Sequence, residues 1–172
     1  MITLDELCTL VEKLKIRVIF ANLRKQNPDY LGKADAATRT ITLDISLRDN
    51  YRQLKCVLSE EIGHILYPPC CGHIRYHSRA YWQTDHLTRS KMQYNVAKDE
   101  RMALDWATGI LITDEQILSA KDRGINTLPL IAEYFDVEPW IVSLKIGYIR
   151  RKGWENGIKY KWTDFIDRHP EG

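Results

Sequence analysis

Apolar residues recur at intervals of three and four through Leu4, Leu7, Val11 and Leu14, which is the spacing of one helix face. The Thr3-Leu4-Asp5-Glu6 stretch ahead of them has the form of a capping box, so the pattern predicts a helix to about residue 15. Residues 16–20 (IRVIF) are β-branched and aromatic and predict a strand. Between residues 30 and 44 a small-residue turn leads into the alternating Thr40-Ile41-Thr42-Leu43, which predicts a hairpin ending in a strand. Asp49 is placed to cap a helix from about 50 to 67, and Pro68-Pro69 stops it because neither ring supplies a backbone donor.

Between residues 67 and 91 no period persists; prolines, a glycine, three histidines and several arginines predict a long loop. The helical period returns from about residue 94, with Val96, Ala103, Leu104 and Ala107 on one side and an end expected near Gly109. Thr113-Asp114-Glu115-Gln116 is a second capping box, and Gly124 is a stop for the helix it opens. Short helices are expected at about 128–135 and 139–151, and the last stretch carries mixed signals and receives no element. The expected fold is α+β: one mostly helical domain with a short N-terminal β-sheet packed on a helix. Its parts are a lead-in over 1–48, a helix pair over 49–110, a C-terminal helical part over 113–152 and a tail over 153–172.

A chain of 172 residues with 44% hydrophobic content is long enough to bury one core. It has no apolar run long enough to span a bilayer, and the start MITLDELCTL lacks the basic and apolar segments of a secretory signal. A cytoplasmic protein without a membrane partner is expected. Formal net charge is only +2, which makes no general case for a polyanionic partner. Cys8, Cys56, Cys70 and Cys71 form no C-x-x-C pair and read as free thiols.

Chemistry concentrates in SEEIGH, residues 59–64. Glu60 and His64 lie one turn apart on a helix and can reach one ion, while Glu61 projects about 100° round. A carboxylate there can take a proton from water that a zinc ion acidifies and pass it to a leaving amine. Gly63 costs about 1 kcal/mol relative to alanine inside a helix, and its small size admits a close neighbour. Catalytic zinc usually takes three protein ligands. Glu100 lies on the apolar stripe of Ala103, Leu104 and Ala107, where a carboxylate is costly to bury unless it is paired or bound to a cation. It is the expected third ligand.

The EEIGH helix, the downstream ERMALDWA (100–107), the helix-strand-hairpin lead-in and IAEYFDVEPWIVSLKIGY (131–148) together resemble the ImmA/IrrE-type metallopeptidases. The likeness covers most of residues 1–150 in the order of elements, with the two helix motifs its specific part. Members of that family are commonly encoded by phages and mobile elements. They have an α+β fold with a short sheet on the active-site helix, and characterised relatives cleave a cytoplasmic repressor. The resemblance implies His64 and Glu100 as zinc ligands, Glu61 as general base, and Glu60 where the family motif has its first histidine. It further implies a protein substrate, a transcriptional repressor. A carboxylate in place of imidazole makes the donor set harder and more anionic, which narrows the preference for zinc over manganese or iron. The E-E-x-G-H form is similar to a variant within phage-derived members, which implies that the exchange is tolerated.

Two other readings stand beside the hydrolase: an inactive protein-binding member of the same fold, and a nucleic-acid-binding regulator. Cys70 and Cys71 are adjacent and lack zinc-finger spacing, so the segment with His73 and His77 reads as loop. His73, His77 and Tyr76 are candidates for an oxyanion-stabilising contribution only because they lie close in sequence. Arg75, Arg79, Arg89 and Lys91 stand among Tyr76, Tyr81 and Trp82, and a second basic run carries Lys145, Arg150, Arg151, Lys152, Lys159 and Lys161 with Trp154 and Tyr160. Such mixtures can bind nucleic acid, but solvated charge and helix-dipole stabilisation account for them more simply. The spacing of residues 128–149 also resembles a helix-turn-helix, yet Pro139-Trp140-Ile141-Val142 offers few polar groups to base edges, so this helix reads as core packed against the candidate metal-bearing helices.

Overall fold

The structure is a computed structural model that describes residues 2–68, 75–78, 91–161 and 164–166, with 75–78 and 91–99 described as backbone only. It is mostly helical α+β, as the pattern of periods predicts. The chain divides into two compact units, one over Thr3–Ala107 and the other mainly from Thr108 onward.

The first unit opens with α1 (Leu4–Lys13), where Thr3 and Glu6 form the expected capping box. Next come β1 (Arg17–Ala21), β2 (Tyr30–Asp35) and β3 (Thr40–Asp44). β2 and β3 form the predicted antiparallel hairpin, and β1 pairs with β3 in parallel. A parallel partner across an intervening strand leaves no local signature, so the sequence pattern did not show it. The expected long loop contains a further strand, β4 (Arg75–Ser78), antiparallel to β2, and the sheet order is β1-β3-β2-β4. Its four residues hold no apolar alternation; backbone pairing alone defines it.

Gly32, Ala34, Ile41 and Leu43 share one face of the sheet by register and are all buried. Helix α2 (Tyr51–Leu66) packs across β2 and β3, and α1 lies against α2 and β1. The cap of α2 is Asn50 rather than Asp49: the Asn50 side chain accepts a 3.1 Å bond from the Gln53 amide, while Asp49 closes a 3-10 turn. Helix α3 (Lys91–Leu111) runs through Gly109, beyond the expected end. Ala103, Leu104, Ala107 and Leu111 are all buried, and extending that apolar stripe offsets the roughly 1 kcal/mol that a helical glycine costs.

In the second unit Thr113 and Gln116 form the predicted capping box of α4 (Asp114–Asp122), and Gly124 follows it at φ 77°. Helices α5 (Leu128–Tyr134) and α6 (Pro139–Glu155) pack together around Ile131, Phe135, Val137, Ile141, Val142 and Ile146. Ile141, Val142 and Ile146 are therefore core, in a packing with α5, while Pro139 is exposed and Trp140 half-buried. Lys145 is buried and its ammonium pairs with Asp114. A methionine there keeps the stem's packing without the charge, whereas alanine removes both. Lys145→Ala is expected to lose about 2 kcal/mol in urea unfolding, and Lys145→Met distinctly less.

The tail is not featureless. α6 extends to Glu155, and Gly157 at φ 77° then reverses the chain. A side chain at Gly153 would meet the Tyr160 ring at 2.4 Å, so the bare backbone there admits that ring. Buried Phe165 packs edge-on against Tyr160 at 5.4 Å.

Candidate metal centre

Helix α2 places Glu60 and His64 one turn apart, and the same helix buries them at 2% and 5% exposure. Glu100, on α3, completes the group. His64 Nε2 stands 3.9 Å from Glu60 Oε1 and 3.7 Å from Glu100 Oε1. One donor atom from each of the three lies within 4.8 Å of the others.

The approach of α3 to α2 has a specific cause. A Cβ built on Gly63 would lie 2.4 Å from the Ala103 carbonyl oxygen and 3.0 Å from its carbon, so only glycine lets the two backbones pass this closely. Ala103 is one turn beyond Glu100, and the crossing point therefore sets the carboxylate beside His64. This is what offsets the helical cost of Gly63.

Two donors about 2.1 Å from a tetrahedral ion stand about 3.4 Å apart. The two separations from His64 are a few tenths of an ångström wider, the three donors all lie within 4.8 Å of one another, and one imidazole with two carboxylates suits zinc, manganese or iron. The residues present could hold a divalent cation.

Glu61 is fully buried, and neither of its carboxylate oxygens has a hydrogen-bond partner among the described residues. Burial, then the nearby Glu60 and Glu100 charges, push its carboxyl well above the usual carboxylate range. Its Oε1 would lie 2.3 Å from a Cβ built on Gly32, with the Val57 side chain at 2.8 Å. The glycine of β2 thus makes room for this carboxyl under the sheet. Sequence reasoning missed Gly32; the available signal was a glycine inside the strand YLGKAD, which marks a close approach.

The raised pKa fixes a sign. Above about pH 4.5 the unfolded chain has an ionised Glu61 while the metal-free fold still holds it protonated, so the fold is penalised increasingly as pH climbs toward the folded pKa. The slope is at most about 1.4 kcal/mol per pH unit. Glu61→Gln is expected to remove this slope, making the chelator-treated protein more stable than wild type at pH 7 and equal to it near pH 4. Urea titrations at the two pH values check it.

His73 lies outside the described residues. Tyr76 and His77 lie on β4, of which only the backbone is described. Tyr76 pairs with Lys33 and Ser78 with Tyr30, so His77 falls opposite the irregular step in β2 that includes Gly32. Cys8 is exposed and Cys56 is buried, and among the described residues neither is in a disulfide, while Cys70 and Cys71 lie outside the described residues. No helix among the described residues is long and apolar enough to cross a membrane. Comparison with protein-family models, with curated proteins and with solved structures finds no match.

Proposed function

We propose that the protein is a metal-dependent peptidase of the ImmA/IrrE-like kind, with Glu60, His64 and Glu100 holding the cation and Glu61 acting as general base. The observation that carries this reading is Glu61 itself. A purely structural ion needs three or four ligands and a closed shell; it does not need a further carboxylate beside them, wholly buried and without a hydrogen-bond partner among the described residues.

A bound divalent cation supplies a Lewis acid that acidifies water and polarises a carbonyl. His64 would contribute its Nε2 lone pair to the ion. The Glu60 and Glu100 carboxylates bring negative charge that binds the cation strongly but makes the centre a weaker acid than a set with two imidazoles would be. Glu61 takes the proton from water on an oxygen beside Gly32 and delivers it to the leaving amine. Burial and the Glu60 and Glu100 charges hold the Glu61 carboxyl high, and the charge part of that effect would be offset if Glu60 and Glu100 held a cation. The proposed substrate is a cytoplasmic protein of the repressor class, after the family resemblance, and zinc is the first candidate metal with manganese or iron next.

The test is elemental analysis of purified wild type beside His64→Ala and Glu100→Ala, followed by mass-spectrometric digestion of a mixed peptide library. Wild type is expected to hold one ion per chain and to cut peptides; both variants are expected to lose the ion. Equal metal in all three removes the ligand assignment. Bound metal in wild type with no cleavage of any peptide or repressor protein leaves a non-catalytic ion-binding module instead.

A further inference from the structure

The end of α6 and the chain that reverses after it make a surface that the metal site does not use. Gly157 N–H donates to the Trp154 carbonyl at 3.1 Å and Ile158 N–H to the Gly153 carbonyl at 2.6 Å, closing the reversal tightly. Arg150 Nε donates to the Tyr160 carbonyl at 3.3 Å, which brings the returning chain alongside the last turns of the helix. Tyr160 on Gly153 and buried Phe165 on Tyr160 fix it there.

What this hook leaves in solvent is unusual. Trp154 is 68% exposed and Ile158 49%, and Arg151, Lys152, Lys159 and Lys161 are all exposed around them. Over residues 150–161 five cations face one anion, Glu155, in a chain whose net charge is only +2. The Asp164 carboxylate accepts from the Lys161 amide at 2.5 Å, which occupies it locally. A short chain reversal that needs two glycines and two packed aromatic rings, and that presents the exposed Trp154 indole among cations, is a preorganised surface rather than a solvated helix end.

We propose that this surface binds single-stranded nucleic acid, with the cations on successive phosphates and the Trp154 indole stacked on a base. Phosphate contacts give affinity and an exposed aromatic ring accepts any base face, the combination that single-strand binders use. An anionic membrane is the weaker match. Interfacial helices present a long apolar face, and on this surface the large exposed apolar side chains among the described residues are Trp154 and Ile158. This activity is independent of the cation and of Glu61.

The experiment titrates the full chain into a fluorescein-labelled oligodeoxythymidylate and follows anisotropy. With about four phosphates neutralised, affinity is expected to fall by about fiftyfold between about 50 and 200 mM salt. Trp154→Ala is expected to weaken binding about tenfold, and the pair Lys159→Glu with Lys161→Glu to abolish it at 200 mM. Circular dichroism melts of these surface variants should match wild type. The proposal is overturned by no binding at the lowest salt, by affinity that ignores salt or both variants, or by binding to phosphatidylserine vesicles without binding to the oligonucleotide. Chelation of the metal should leave the affinity unchanged, and a loss on chelation would equally overturn it.

Discussion

Glu61→Gln is expected to retain one metal ion per chain and to lose peptide hydrolysis by roughly 10²- to 10⁴-fold, the usual worth of a positioned general base. The retention and the loss come from different atoms. The ion is assigned to Glu60, His64 and Glu100, whose donor atoms cluster within 4.8 Å, and Glu61 is outside that set with its carboxyl turned under Gly32. Glutamine has the same shape and cannot take the proton. Elemental analysis and peptide-library digestion on one preparation separate the two effects. Loss of the ion in Glu61→Gln would make Glu61 a ligand and require a different base.

Gly63→Ala and Gly32→Ala are expected to fail in different ways. At Gly63 the added methyl meets the Ala103 backbone, which cannot rotate aside, so α2 and α3 must separate and Glu100 withdraws from His64. Overpacking of this kind costs about 1–3 kcal/mol, against which alanine regains about 1 kcal/mol of helix propensity. The expected outcome is a modest fall in stability with a large fall in metal affinity. At Gly32 the methyl meets the Glu61 carboxyl and Val57, and the flexible carboxyl gives way. Metal content should persist while hydrolysis falls by an order of magnitude or more, the scale of loss that a base displaced by about 1 Å produces. Metal analysis, urea unfolding and hydrolysis on the two variants test this pattern; if Gly63→Ala binds metal like wild type, the close helix crossing is not what positions Glu100.

The relation between α2 and α3 was legible in sequence for a physical reason. A carboxylate at residue 100 interrupts an apolar stripe, and residues 60 and 64 repeat at one helical turn, so the cost of burying these groups points to a shared solution. Gly63 carried the complementary signal, a helical glycine whose cost demanded a neighbour. What stayed hidden depended on partners remote in sequence. The parallel pairing of Arg17 with Thr40, and β4 over RYHS, are defined by backbone bonds between distant segments and leave no period. Asn50 caps α2 one residue past the expected Asp49 because the preceding 3-10 turn ends there. The hook after α6 escaped notice because its order depends on a tyrosine ring landing on a glycine seven residues earlier, a contact that the composition of the tail does not advertise.

The order of strands also shapes how the chain acquires its form. β2 and β3 are joined by a tight turn and can zip together from local contacts, whereas β1 must wait to find β3 across the finished hairpin. Substitutions that weaken the hairpin should mainly slow folding, and those in β1 mainly hasten unfolding. Gly32 then belongs to the early nucleus, so the floor beneath the Glu61 carboxyl is laid before the helix that carries it docks.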